Sequence, residues 1–124
     1  MTRVIVTAAE SLEIIVNHGD EGDLVKLRGR LSIDTSPALR DQLLSMLGEP
    51  SAEPIVVDLA EVPYIDSSGI ATLVEGLKVA RNRQTTLCLR RMQGRLLHLF
   101  EITGLLSLFE TNGCETALSA SKNS

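Results

Sequence analysis

The sequence predicts an α/β domain in which a mixed, mostly parallel β-sheet packs against helices. Short β-branched runs alternate with segments whose apolar residues recur at helical spacing. Two of these runs come first, with only a cluster of turn-forming residues between them. The predicted order is β-β-α-β-α-β-α-β, with right-handed crossovers through the helices. A length of 124 residues suits one domain.

The first two strands are expected to form a hairpin. Residues 12–16 carry four apolar side chains, and residues 19–23 are all glycines or acidic turn formers. Residues 24–29 then alternate between apolar and polar side chains, which is typical of a strand with one solvated face. The domain is therefore predicted to begin at residue 12, after an N-terminal extension of residues 1–11.

The first helix is expected to start at Ser36 as its N-cap, with Pro37 at the first helical position. Apolar residues then recur at helical spacing at Leu39, Leu43, Met46 and Leu47. Gly48 is a suitable C-terminal stop. The next strand is predicted over residues 54–59. Its three consecutive β-branched residues, 55–57, indicate burial on both faces.

A second helix is predicted over residues 69–83, because its apolar residues form one stripe. Residues 85–89 read as a short strand. A third helix follows, with Leu96 and Phe100 on its apolar side, and Gly104 ends it.

The end of the chain is expected to complete the sheet. Residues 105–109 are predicted to contain a last short strand, and residues 117–118 a brief helix. The remaining residues, 119–124, are small and polar and are expected to form a flexible tail. The predicted domain therefore spans residues 12–118.

Composition argues against nucleic acid as the partner, because the formal net charge is −4 and aromatic residues make up only 2% of the chain. Residues 76–100 nevertheless contain no acidic residue and six basic ones: Lys78, Arg81, Arg83, Arg90, Arg91 and Arg95. These are either solvated surface residues or a patch that faces an acidic partner or a membrane surface. No apolar stretch approaches the ~20 residues that span a bilayer, and the apolar start is too short for a secretory signal. A cytoplasmic protein is expected.

The sequence indicates neither a metal site nor a cofactor. Cys88 and Cys114 lie far apart without a paired-cysteine motif, and Cys88 is expected to be a buried free thiol. His98 lies in an apolar helical segment without a second ligand at metal spacing, so a packing role is expected. No glycine-rich phosphate loop is present.

The strongest candidate site is the tetrapeptide of Asp66, Ser67, Ser68 and Gly69, between a strand and a helix. Loops at the carboxyl ends of parallel strands form the functional edge of such sheets. The first turn of a helix also offers backbone N–H groups and a positive dipole end to a phosphate. Taken alone, the tetrapeptide is better explained as a simple helix cap and turn, because such tetrapeptides are common at helix starts. Asp58 on the preceding strand is a possible base for Ser67, or a hydrogen-bonded anchor.

The wider context resembles the STAS family, most closely the bacterial anti-sigma-factor antagonists. Residues 56–59, 62–69 and 73–77 follow one another at the spacing of that family, and residues 99–105 match it further on. The resemblance covers about residues 12–118. The combination of the Asp-Ser-Ser-Gly block with a Thr-Gly-Leu block some 35 residues later makes the resemblance specific.

The resemblance implies a phosphorylation-dependent binding module and not an enzyme. Ser67 matches the serine that a partner kinase, itself the anti-sigma factor, phosphorylates. Ser68 matches a neighbouring residue that is expected to cap the helix. The unphosphorylated domain would bind the kinase, the phosphorylated domain would release it, and a serine phosphatase would reset it.

The resemblance also implies a partner-binding surface, formed by Asp66, Ser68, Gly69, Ser32 and Asp34. This sequence departs from the family at Ser32, where antagonists often carry an aspartate. Asp34, two residues later, could replace that carboxylate.

Two other functions are compatible with the residues. STAS proteins also serve as accessory subunits of lipid-transport ABC transporters, and the basic run over residues 78–95 would suit that role. A small hydrolase with Ser67 as nucleophile would need a histidine base. His18 and His98 are both expected to lie far from the loop.

Overall fold

A computed structural model describes residues 2–6, 11–19, 22–49, 53–92, 94–105 and 107. Its elements are β1 (Thr2–Val6), β2 (Leu12–Gly19), β3 (Gly22–Leu31), α1 (Ser36–Leu47), β4 (Ile55–Ile65), α2 (Ser67–Asn82), β5 (Leu87–Arg90) and α3 (Gly94–Thr103). The strands form one sheet in the order β1-β2-β3-β4-β5. The first three strands pair antiparallel, whereas β4 pairs parallel with both β3 and β5. The predicted α/β class and mixed sheet are confirmed.

The hairpin of β2 and β3 is confirmed, and its burial alternates as predicted. Ile14 and Val16 are fully buried and lie opposite Leu27 and Val25, which are also fully buried. Residues between them point to the other face and are only half-buried. A period of two is visible in the sequence because each strand presents one face to the core.

An additional strand, β1, pairs with the outer edge of β2, where the sequence analysis assigned no strand. Ile5 of β1 lies opposite the buried Ile14 and packs against the core. A segment of five residues is too short to show a clear alternation of apolar and polar side chains. Its pairing with β2 therefore determines that it forms a strand. The predicted domain boundaries remain predictions, and the tail at 119–124 lies outside the described residues.

Helix α1 starts one residue earlier than predicted. Ser36 is its first residue, Thr35 is the N-cap, and Pro37 falls within the first turn. The buried hydroxyl of Thr35 donates to the carbonyl oxygen of Arg30 at 2.7 Å, and the Ser36 hydroxyl donates to Ser32 at 2.6 Å. These bonds tie the start of the helix to the end of β3. Gly48 ends the helix as predicted.

Strand β4 runs six residues beyond its predicted end at residue 59, and its burial is less symmetric than expected. Ile55, Val57 and Leu59 are at most 1% exposed, whereas Val56 is only half-buried on the opposite face. Packing against the helices therefore covers one face of this strand more completely than the other. The register between β3 and β4 shifts twice beyond Lys26. Such shifts are typical of β-bulges, which insert an extra residue into one strand.

Two expectations for the C-terminal part of the chain are wrong. Leu105 and Ser107 are helical where a last strand was predicted, and the rest of that segment, like residues 117–118, lies outside the described residues.

Cys88 is disulfide-bonded and not a free thiol. The separation of two cysteines along the chain does not give their distance in the fold, so the spacing of the cysteines in the sequence could not reveal a disulfide. Gly104 ends the predicted helix with a φ of +79°.

The core is aliphatic apart from Phe100, which α3 buries completely. Helices α1 and α2 pack against each other near Gly76, where the nearest side chains are those of Leu87 and Leu43. Within the described part of the chain, no helix is both long and apolar enough to cross a membrane.

Candidate functional site

The tetrapeptide lies at the carboxyl end of β4, and Asp66 is the N-cap of α2. Its backbone is extended, and its Oδ1 atom accepts hydrogen bonds from the backbone N–H groups of Ser68 at 2.9 Å and Gly69 at 3.1 Å. The expectation that Ser68 caps the helix is wrong. Asp66 stands one position before the helix, where a short carboxylate reaches the second and third backbone N–H groups.

Ser67 is the first residue of α2 and is exposed, whereas Ser68 is half-buried. The first-turn donors beside Ser67 are already occupied, because Asp66 accepts from Ser68 and Gly69 through its side chain and from Ile70 through its carbonyl. A phosphate on Ser67 would therefore compete with the Asp66 carboxylate for these groups. The helix dipole still favours negative charge at this end.

The second carboxylate oxygen of Asp66 joins this helix to the loop between β3 and α1. Oδ2 accepts a hydrogen bond from the backbone N–H of Ile33 at 3.1 Å, and the Asp66 N–H donates to Leu31 at 3.1 Å. One side chain thus holds together two segments that are 33 residues apart. The parallel pairing of β3 with β4 brings the ends of both strands to the same edge.

Ser32 and Asp34 lie in this loop, so the structure brings them to the edge that carries Ser67. Ser32 is half-buried, and its hydroxyl accepts a hydrogen bond from the N–H of Asp34 at 3.3 Å. Its own N–H donates to Thr35 at 2.9 Å. Ser32 therefore shapes the loop, while the exposed carboxylate of Asp34 is directed to the surface.

Gly69 is buried, so its absent side chain serves internal packing. A Cβ atom there would lie 2.7 Å from Ile65 Cγ1 and 2.8 Å from Leu31 Cγ. These distances are shorter than carbon atoms tolerate, so only glycine lets α2 approach the ends of β3 and β4 this closely. Gly69, one of the predicted site residues, therefore allows close packing beneath the surface and is not itself exposed to a partner.

Asp58 is an anchor in the structure. It is 1% exposed, accepts hydrogen bonds from Arg91 and the N–H of Ala60, and has Arg90 at 3.4 Å. Burial raises the pKa of Asp58, but the hydrogen bond from Arg91, together with the other donors and charges, lowers it below its usual value. Asp58 and Asp66 are eight positions apart, and the seven residues between them belong to β4, which corresponds to roughly 25 Å of extended chain.

No histidine forms a hydrogen bond with Ser67 among the described residues. His18 lies beside Asp23, with Nδ1 2.9 Å from Oδ1, at the end of β3 opposite the tetrapeptide. Ten residues of strand separate the two ends, roughly 30 Å. His98 is exposed on α3, and the described part of the chain contains no cluster of metal-ligating side chains.

The structure divides the basic run. Arg83 donates to the carbonyl oxygens of Gly48 and Glu49 at the end of α1. Arg90, the last residue of β5, and Arg91, which follows it, neutralise Asp58. The remaining three basic residues, Lys78, Arg81 and Arg95, are exposed and form no salt bridge within the described ranges. Three of the six basic residues therefore bind other groups of the same domain.

Sequence reasoning missed a bridge between the two helices that flank the site. Arg40 of α1 donates to both carboxylate oxygens of Glu75 in α2, at 2.8 and 2.9 Å. The hydrogen bond from Arg40 and its charge lower the pKa of Glu75, and the same pair raises the pKa of Arg40. Thirty-five residues separate these side chains, so no local pattern could have revealed the pair.

Comparison with known proteins supports the resemblance. A family model described as "Mlab, STAS domain" matches residues 14–110. The anti-sigma-B factor antagonist of Listeria monocytogenes is 33% identical over 105 residues, which cover 85% of this chain and 90% of that protein. The antagonist of Bacillus subtilis is 28% identical over 100 residues, covering 81% and 90%.

Solved structures share the fold at low sequence identity. An anti-sigma factor antagonist from Mycobacterium paratuberculosis has a TM-score of 0.65 at 22% identity, covering 84% of this chain and 87% of that one. A STAS domain protein from Planctomyces limnophilus has a TM-score of 0.69 at 19% identity, covering 77% and 86%. The phosphorylated form of SpoIIAA from Bacillus has a TM-score of 0.63 at 13% identity, covering 87% of each chain.

Proposed function

This chain belongs to the STAS domain family, and we propose that it is an anti-sigma factor antagonist that works by partner switching. Like the antagonists among its relatives, it is a regulator and not an enzyme. In its unphosphorylated form it binds a serine kinase that is also the anti-sigma factor, and this binding frees the sigma factor. Phosphorylation of Ser67 releases the kinase, and a serine phosphatase restores the binding form. These events take place in the cytoplasm.

The observation that carries the proposal is the position of Ser67. Its side chain is exposed on the first residue of α2, while the carboxylate of Asp66 holds the backbone that follows it, at Ser68, and the neighbouring loop, at Ile33. A kinase needs an accessible hydroxyl in a defined place, because phosphoryl transfer depends on positioning. Ser68 is half-buried next to it and is less accessible.

Release follows from the charge that phosphorylation adds. A kinase that phosphorylates Ser67 must hold the phosphates of its nucleotide against this residue. After transfer, nearly two negative charges on Ser67 face the remaining nucleotide phosphates across the contact. Asp66, one residue away, adds repulsion of the same sign. The fold should survive phosphorylation, because the helix dipole stabilises negative charge at an exposed N-terminus by roughly 0.3–1 kcal/mol and so offsets part of the repulsion from Asp66.

A role as accessory subunit of a lipid-transport ABC transporter is not favoured. The curated relatives described above are antagonists, and half of the basic run serves the domain itself. The phosphoacceptor test below distinguishes the two roles.

The test is mass spectrometry after incubation with ATP and the purified histidine-kinase-like ATPase encoded nearest to this gene. We expect one phosphate, on Ser67. Ser67→Ala should bind the kinase and resist phosphorylation, and Ser67→Asp should stay folded but lose the kinase. Ser68→Ala is the matched control and should remain a substrate. Phosphate on Ser68 would overturn the site, and no phosphate on either serine would favour the transporter role.

A further inference from the structure

Ile33 exposes more of its side chain than any other large apolar residue that the structure describes as exposed. It is 69% exposed, compared with 66% for Ile102 on α3 and 54% for Val4 on β1. Single exposed apolar residues are common and carry no meaning alone. What distinguishes Ile33 is its place beside the phosphoacceptor.

The loop that carries Ile33 is held rigidly. The N–H of Ile33 donates to Asp66, the same carboxylate that caps the helix of Ser67. Behind Ile33, the carbonyl oxygen of Ser32 accepts from the Ser36 N–H at 2.7 Å and from its hydroxyl at 2.6 Å. Because the backbone that carries Ile33 is held before binding, the loop loses little freedom on binding, so burial of the Ile33 side chain contributes efficiently to affinity.

Ile33 also lines a shallow cleft between the N-terminal halves of α1 and α2. The cleft has a volume of about 460 Å³, and Pro37 and Ala71 add apolar surface to it. Ser68 lines it as well, so the cleft reaches the tetrapeptide. Ile33 and the cleft therefore form one surface with Ser67 at its edge.

Among the described residues that line the cleft or adjoin Ile33, the charge left without a salt bridge is negative. Arg40, which also lines the cleft, is paired with Glu75. The exposed carboxylates of Asp34 and Asp41 form no salt bridge within the part of the chain that the structure describes. A complementary protein surface would thus combine apolar contact with basic side chains.

We propose that Ile33 is the apolar anchor through which the kinase recognises this chain, and that the kinase presents an apolar pocket flanked by a basic side chain opposite Asp34. The inference rests on the proposed function, because it names the determinant of specificity at the same surface. An apolar anchor next to Ser67 also sharpens the switch. A phosphate dianion beside a dehydrated apolar contact loses its hydration without gaining a partner.

The experiment compares Ile33→Ser with Ile102→Ser, which removes the same side chain at nearly equal exposure from α3. Affinity for the purified kinase and steady-state phosphorylation of Ser67 are measured for both variants and for the unsubstituted protein. We expect Ile33→Ser to weaken binding about 10- to 100-fold, the loss of one buried isoleucine contact. KM for phosphorylation should rise by a similar factor with kcat unchanged, because Ile33 does not touch the reacting atoms. Ile102→Ser should match the unsubstituted protein in both assays.

The outcomes separate the two proposals. If the unsubstituted protein binds and is phosphorylated but Ile33→Ser does so equally well, the anchor is overturned and the proposed function stands. Equal losses in Ile33→Ser and Ile102→Ser would also overturn the anchor. If the unsubstituted protein neither binds nor is phosphorylated, the proposed function fails and the anchor with it. Thermal melts followed by circular dichroism should be unchanged in both variants, because both side chains are exposed.

Discussion

The Asp66 side chain should contribute more to stability than an exposed loop residue normally does. It accepts three backbone hydrogen bonds, from Ser68 at 2.9 Å, Gly69 at 3.1 Å and Ile33 at 3.1 Å. Loss of an N-cap costs about 0.5–2 kcal/mol. The bond to Ile33 adds roughly 0.5–1 kcal/mol, since that donor is exposed and water can replace the carboxylate. Asp66→Ala should therefore lower the free energy of unfolding by about 1–3 kcal/mol.

Asp66→Asn should separate the two roles of this side chain. Asparagine caps helices as well as aspartate does, so its amide oxygen can still accept from Ser68 and Gly69. Its amide nitrogen is a donor and cannot accept from the N–H of Ile33. The variant should keep most of the stability but lose the tie to the loop.

The assay is urea denaturation, combined with amide hydrogen exchange at Ile33 and Ser68. In Asp66→Ala both amides should exchange faster, and in Asp66→Asn only Ile33 should. Asp34→Asn is the matched control, because the Asp34 carboxylate accepts no hydrogen bond from the described residues. If Asp66→Ala is as stable as the control, or if Ile33 keeps its protection in Asp66→Asn, the reasoning is refuted.

Two further predictions concern buried positions. Since the pKa of Asp58 is lowered in the folded state, its stabilisation should be complete above about pH 4 and be lost as the pH falls through the folded pKa. The stability advantage of the unsubstituted protein over Asp58→Asn should thus shrink below about pH 4 in acid titrations of urea melts, and a constant advantage would contradict the role of Arg91. Gly69→Ala should lower stability by about 1–3 kcal/mol, because the new Cβ would overlap Ile65 and also lie 3.0 Å from the carbonyl oxygen of Leu31. A denaturation midpoint equal to that of the unsubstituted protein would show that this packing is looser than described.

Much of the fold follows from local patterns in the sequence. The hairpin, the three helices and the buried strand β4 were predicted, because a period of two or of 3.6 records which face of an element meets the core. Their ends were less well predicted. Strand β4 extends to Ile65 and α2 starts at Ser67, since register with β3 and the reach of the Asp66 side chain decide these boundaries.

The site divides in the same way. The sequence by itself determined that an acidic residue and two serines stand between a strand and a helix, and that the block resembles the STAS pattern. Only the tertiary structure decided that Asp66 is the cap and holds Ile33, that Gly69 is internal, and that Arg40 bridges to Glu75. The physical reason is that the contacts of Asp66 with Ile33, of Gly69 with Leu31 and of Arg40 with Glu75 join residues more than 30 positions apart. Local propensity says nothing about such pairs, because strand register and helix packing bring them together.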